Sequence, residues 1–341
     1  MIISNKKNFI FLHVPKSAGS SIAQSLGRYN DLSTDDVFSD PTLKHETARE
    51  LKQINESRFG EHVSFCFVRN PWDRVVSWYF YENKHQFGFR NVFPRFEDFV
   101  YYLDEAWGYI KLQWNYKIYR VMNDPYVIPL PQIDFVLDSS DQLLVDYVGR
   151  FESIQGDFSR LMKILDLNVN LSHQNKTAHN KYQEYYSKKT QGIVERIFQK
   201  EIAFWEYRFD NEQKPITHCS NRYLQLEECQ LKVEQGKYEE AENLFHEMQK
   251  SSLSNLAMKK LAQLYYSWGR YSESLDFGLK IVDCCNEDVD SWSLIMKSAH
   301  KLDNQSIFNQ ALVRIRIYNE LRLSSKISKK QLLKSIIKKY V

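Results

Sequence analysis

The chain has 341 residues, 43% hydrophobic and 26% charged, which is long enough for two domains with separate cores and is an ordinary globular composition. Its formal charge of +3 is unevenly placed: residues 321–341 hold seven Lys/Arg and no Asp or Glu, leaving 39 basic against 43 acidic residues elsewhere. A general nucleic-acid binder would be basic over its body, and no apolar run approaches the ~20 residues that cross a bilayer, so both classes are set aside. The opening stretch "MIISNKKNFIFLHV" is too short in its apolar part for a secretory leader. Five cysteines (66, 219, 229, 284 and 285) are odd in number and lack metal-ligand spacing, so a reduced, cytoplasmic setting is expected.

Up to about residue 210, short apolar runs alternate with helical periods. "NFIFLHV" and "HVSFCFV" are continuous apolar stretches of the kind that fills a parallel sheet covered on both faces, and each is followed by a turn and a helical segment. "IDFVL" and "DYVGRF" are expected to add strands, and "QEYYSKKTQGIVERIFQKEIAFWEYRF" reads as one long helix. After the polar stretch "DNEQKPITH" the strand-like runs vanish and a repeat begins. "QGKYEEAENLF" from Gln235 and "WGRYSESLDFG" from Trp268 share a Gly-basic-Tyr turn at an offset of 33 residues, and "KLDNQSIFNQA" from Lys301 is a weaker third copy. The period and the helix–turn–helix pattern resemble the tetratricopeptide repeat, whose helix pairs stack because each covers its neighbour's apolar face. Such an array suits a protein partner or self-association. The tail "KISKKQLLKSIIKKYV" sets apolar residues at helical spacing between lysines; it fits either a cap on the array or contact with an anionic membrane surface.

The stretch "HVPKSAGSS" carries the first chemical signal. Pro15 ends a strand, Ser17–Gly19 turn the backbone, and Gly19 allows either a positive φ or close approach by a ligand. Ser20 and Ser21 then open a helix whose free amides and dipole favour an anion, with Lys16 as a mobile charge. A plain strand-to-helix turn with serine caps would look the same. A second segment, "SFCFVRNPWDRVVS", separates the two readings: Arg69 ends another strand, Asn70 and Pro71 start a helix, and Ser77 follows two turns on. A guanidinium and a hydroxyl at a strand's carboxyl end suit a second phosphate, at the sheet edge where open α/β folds bind ligands.

"PKSAGSS" followed some fifty residues later by "FVRNPWDRVVS" resembles the PAPS-dependent sulfotransferases, specifically the carbohydrate and Golgi-type group. The likeness continues through "KHETAREL", "DYVGRFESI" and "NKTAHNKYQEYYS" and covers roughly residues 8–209, not the helical part. It implies an α/β, P-loop-like three-layer fold with a central parallel sheet over 1–212; the repeat pattern and the lysine-rich end add an all-α repeat domain over 219–320 and a basic tail over 321–341. It also implies that Lys16, Ser17, Ala18, Gly19, Ser20 and Ser21 hold the 5′-phosphosulfate of 3′-phosphoadenylyl sulfate (PAPS), and that Arg69 and Ser77 hold its 3′-phosphate. Ser17 stands where the family often has Thr and Ala18 where it often has Gly, small changes expected to leave the loop intact.

Sulfuryl transfer needs charge stabilisation at the bridging oxygen and a base at the acceptor hydroxyl; Lys16 suits the first, and no metal is required. The resemblance implies His45 as base, with Glu46 its nearest rival, and Lys176 and Thr177 in a late loop over the nucleotide. His13 is expected to pack beside the loop, Glu152 to pair with Arg150, and Trp72, Trp78, Trp107 and Trp114 to serve the core. The product would be PAP and the acceptor a carbohydrate or glycolipid hydroxyl. The alternatives are an ATP-using P-loop kinase, disfavoured by the missing Gly-Lys-Ser/Thr, and an inactive nucleotide-binding module that recruits proteins through its repeats.

Overall fold

The computed structural model describes residues 1–30, 46–82, 92–115, 131–171, 180–210, 218–250, 253–284 and 288–323, without the side chains of 82, 108–115 and 320–323. The chain divides into two compact units. The first takes Met1–Ser4, Phe9–Phe59 and Val63–Tyr223; the second takes Leu224–Val341 with two short loops, Asn5–Asn8 and Gly60–His62.

The first unit is built on a five-stranded mixed sheet in the order β1 (Ile2–Ser4), β2 (Phe9–Phe11), β3 (Val63–Val68), β4 (Tyr147–Arg150), β5 (His218–Cys219). The three inner strands are parallel and the two edge strands antiparallel to their neighbours. The apolar runs are continuous because both faces are covered. Ile10, Cys66, Val68 and Val148 face the main core with Trp72, Val75, Val76, Phe99 and Leu103. These last come from α4 (Pro71–Glu82) and α5 (Phe96–Asn115), which follow α1 (Gly19–Leu26), α2 (Ala48–Ile54) and α3 (Glu56–Gly60). On the opposite face the alternate residues Phe9 and Phe11 pack with tilted rings against Phe65, and Phe67 packs against Phe158 of α6 (Ile154–Ile164), 6.5 Å between centroids.

Two expectations fail here. "IDFVL" is not a strand: Pro131 leads into a 3-10 turn over Gln132–Phe135, and only a single bridge, Leu137 to Leu143, follows. Gln132 turns its side chain to Arg69 instead of joining a ladder. The long helix is three pieces: a 3-10 turn at Tyr182–Tyr185, α7 (Lys188–Ile197) and α8 (Gln199–Trp205). Tyr186 donates its hydroxyl to the Trp72 carbonyl, which holds the chain extended before a Ser187–Thr190 capping box opens α7. Phe198 leaves helical geometry at φ −104°, ψ 21°, its ring edge-on to Trp107 at 5.5 Å.

In the second unit, helices α9 (Asn221–Glu234) and α10 (Tyr238–Gln249), α11 (Ser254–Trp268) and α12 (Tyr271–Cys284), and α13 (Val289–Lys301) and α14 (Gln305–Leu323) form three hairpins. Each turn holds one left-handed residue, Gly236, Gly269 and Asp303, at spacings of 33 and 34. Each is followed by the same six-to-one helix-closing bond: Lys237 to Lys232, Arg270 to Tyr265 and Asn304 to Ala299, all at 2.8–2.9 Å. The third copy is weaker in sequence because an aspartate holds the position that glycine fills twice. Among the described residues no helix is long and apolar enough to cross a membrane. Most of the basic tail lies outside the described residues.

Candidate active site

β2 and β3 are parallel neighbours paired Phe11 to Phe65, so the segments leaving their carboxyl ends emerge at one edge of the sheet. From β2 comes the loop Val14–Ala18. Lys16 (φ 66°) and Ala18 (φ 63°) both adopt the left-handed conformation, and Ser17 between them is buried. The first bond of α1 runs from the Ile22 N–H to the Ala18 carbonyl at 3.1 Å, so the amides of Gly19, Ser20 and Ser21 have no acceptor within the helix. Ser20 is exposed and Ser21 buried.

The glycine does not serve as expected. Gly19 has an ordinary φ, and a Cβ there would lie 2.0 Å from Cδ2 of His13, whose buried ring fills the space beneath the helix start. The conformational load falls on Lys16 and Ala18. The change at Ala18 is therefore less innocent than its size suggests: an L-residue in this region is strained by roughly 1–2 kcal/mol relative to glycine. Ala18→Gly is expected to raise unfolding stability by about 1 kcal/mol, read as a shift in the urea midpoint at constant slope. An unchanged midpoint removes strain from the account of this loop.

From β3 comes Arg69. Its Nε donates to Asp73 Oδ2 at 2.8 Å, its Nη1 reaches the Lys16 carbonyl at 3.5 Å, and its guanidinium lies 4.1 Å over the Phe151 ring. Among the described residues Nη2 has no hydrogen-bond acceptor. Asn70 Oδ1 accepts the Trp72 amide at 3.1 Å, which starts α4 at Pro71 as the sequence suggests. Along α4, Asp73, Ser77 and Tyr81 recur every fourth residue on one side. Asp73 holds Arg69, and the Tyr81 ring carries the Lys16 ammonium 3.5 Å from its centre. The helix thus spaces the buried Ser77 between the two motifs. Beside Arg69 and Asp73 opens a cavity of about 510 Å³, lined also by Asn180–Gln183 and Asp210. A volume of this order accommodates a small organic ligand.

A layer of side chains beneath the edge fixes both motifs. Arg74, buried on α4, donates Nε to the Pro15 carbonyl at 3.0 Å and so pins the start of the loop. Gln132 joins Ser17, Arg69 and Glu201. Burial of Glu201 pushes its carboxyl up to about 7, against the opposing pull of Arg74 and the Gln132 hydrogen bonds. Glu152 also rises above the usual carboxylate range, chiefly through desolvation. Its oxygens accept from the Asn70 amide at 2.6 Å and the Tyr207 hydroxyl at 3.2 Å, and the charge of Arg150, which donates to the Trp205 carbonyl at 2.8 Å, pulls the carboxyl the other way. The sequence flags neither Gln132 nor Glu201, and Arg74 only as part of "RNPWDR".

His45, Lys176 and Thr177 lie outside the described residues. Glu46 is buried just ahead of Thr47, the N-cap of α2. Trp72 and Trp78 are core residues, Trp72 donating Nε1 to the Gln191 carbonyl at 3.1 Å, and Trp107 packs on Phe198; the Trp114 side chain lies outside the described ones.

A mixed sheet with three parallel inner strands, a lysine-bearing turn and an arginine at adjacent strand ends defines an α/β protein. A profile of the sulfotransferase family matches residues 1–208, and the chain belongs to that family, whose chemistry is sulfuryl transfer. An uncharacterized protein of Archaeoglobus fulgidus is 28% identical over 127 residues, 37% of this chain and 86% of that one. No solved structure matches the chain.

Proposed function

We propose that the protein transfers the sulfuryl group of PAPS to a hydroxyl of a carbohydrate acceptor, a glycan, polysaccharide or glycolipid, with residues 1–212 as the catalytic domain. The observation that supports this reading is the contiguity of the two motifs: Arg69 Nη1 lies 3.5 Å from the Lys16 carbonyl, so one ligand with two anionic groups can meet both. The amides of Gly19, Ser20 and Ser21, the hydroxyls of Ser20 and Ser21, and Lys16 would hold the 5′ end, with Ser17 and Ala18 shaping the turn that presents them; the Ser17 hydroxyl itself is donated to Gln132. Arg69 and Ser77, with Lys176 and Thr177, would hold the 3′-phosphate. The nucleotide supplies the sulfuryl group. Lys16 meets charge growing on the bridging oxygen, and His45 takes the acceptor proton.

Thermal unfolding with PAP against ATP plus Mg²⁺ tests the donor. A ligand at 100 times its Kd stabilises by about 2.7 kcal/mol, so PAP is expected to raise Tm by several degrees and ATP to do little. A selective response to ATP transfers the site to a kinase reading. Transfer of labelled sulfate from PAPS to a panel of extracted glycans and glycolipids then identifies the acceptor. In that assay His45→Ala is expected to lose turnover, by about 10²-fold or more, while keeping PAP affinity. Equal loss of both demotes the histidine to structure.

We further read the three hairpins as a tetratricopeptide-like array for a protein partner or self-association, with the basic tail as its cap. The described cysteines are free thiols, which suits a reducing, cytoplasmic setting.

A further inference from the structure

Gln132 is fully buried, and its side-chain amide makes every bond it can. Oε1 accepts from the Ser17 hydroxyl at 3.0 Å and from the Arg69 amide at 2.8 Å. Nε2 donates to the Arg69 carbonyl at 2.8 Å and to Glu201 Oε1 at 3.3 Å. The backbone N–H of Gln132 donates to Glu201 Oε2. One side chain therefore touches both halves of the site: the hydroxyl inside the lysine turn, and both backbone polar groups of the arginine at the end of β3. Glu201, buried in α8, takes two of the donors and so fixes which way the amide points. Reversal would set Nε2 against the Arg69 amide and Oε1 against the Arg69 carbonyl and the Glu201 carboxylate, three repulsive contacts, and only the Ser17 hydroxyl could turn to accept from it.

We infer that Gln132, oriented by Glu201, is a positioning residue that sets the spacing between the lysine turn and Arg69, and that this spacing selects adenosine ligands carrying two phosphates over those carrying one. The inference rests on the donor reading above. Neither side chain is assigned a contact with the ligand. They act through Ser17 and through the backbone of Arg69, so their loss loosens one motif against the other while leaving Lys16 and the guanidinium in place. A ligand that grips one motif tolerates that freedom; a ligand that must span both does not.

The test is calorimetric titration of the full chain with adenosine 3′,5′-bisphosphate and adenosine 5′-monophosphate, with Tm measured alongside. Gln132→Met keeps the length of the side chain and deletes all four amide bonds. The ratio of bisphosphate to monophosphate affinity is expected to fall about tenfold or more in this variant. A purely structural role lowers Tm and weakens both ligands alike, and a ratio unchanged within about twofold overturns the inference. Should Gln132→Met fail to fold, Glu201→Gln decides: its amide still accepts the Gln132 N–H but turns an N–H donor toward Gln132 Nε2. The same ratio is expected to fall severalfold, and no fall refutes the assignment. A wild-type chain that binds no bisphosphate sinks the donor reading and this inference together, whereas wild-type binding with unaltered variant ratios sinks this inference alone.

Discussion

Lys16→Ala is expected to lower the rate of sulfuryl transfer by about 10²- to 10³-fold, the usual consequence of removing one preorganised donor from developing negative charge. The geometry says why the loss should fall on rate more than on binding. Arg69 contacts the carbonyl of Lys16, and the loop's left-handed turn is a property of the backbone, so truncation of the side chain leaves both in place. What disappears is the ammonium, which lies 3.5 Å from the centre of the Tyr81 ring. A cation–π contact of this kind contributes roughly 0.5–1 kcal/mol, so the variant should stay folded and its PAP affinity should change about tenfold or less. Lys16→Arg should not restore the rate, because a planar fork cannot replace a compact charge at one oxygen. Single-turnover transfer of labelled sulfate, with PAP titration alongside, makes the comparison. A near-normal rate for Lys16→Ala would remove the lysine from the mechanism, and equal losses in rate and affinity would reassign it to ground-state binding.

The parts of this site that the sequence displays are those whose causes are local. "FIFLHV" and "SFCFV" are apolar at every position but His13 and Ser64 because helices cover both faces of the sheet, and a strand of that kind is readable without its partners. Once the two strands are taken as parallel neighbours, the lysine turn and the arginine fall on the same edge. Gln132 had no such signal. Its partners are 63, 69 and 115 residues away, and its segment, apolar and β-branched, reads as a strand when a 3-10 turn after Pro131 is what presents the amide. Gly19 was legible as a special position but not for its reason, because contact between a helix start and the His13 ring depends on how two elements pack. The third hairpin shows the same limit. Stepping 33 residues from Gly269 lands on Leu302, but the left-handed residue is Asp303, one position later. A repeat in structure tolerates a one-residue insertion that a fixed sequence period does not.

Gly19→Ala is expected to damage stability and function together, and the double variant with His13→Ala is expected to recover much of both. The added methyl would stand 2.0 Å from His13 Cδ2 and 2.2 Å from Nε2, far inside contact distance, so one of the two must move. The ring has little room. It is 6% exposed and stacked on Phe11, which itself packs against Phe65 at 5.4 Å between centroids. The alternative is for α1 to lift away from β2 and carry the amides of Gly19, Ser20 and Ser21 with it. Overpacking of this kind costs about 1–3 kcal/mol. A displacement near 1 Å at a reacting centre costs about 10² in rate. His13→Ala alone leaves a hole and should destabilise modestly, while in the double variant the methyl occupies space the imidazole has left. The two single costs should therefore exceed the double cost by roughly 1–2 kcal/mol, a coupling within the range found for side chains in contact. Urea unfolding of the four proteins supplies the cycle, and PAP titration shows whether the anion site follows the helix start. Additive costs would mean that glycine is needed at position 19 for some purpose other than the histidine, and the assignment of His13 as the floor of the loop would fall with it.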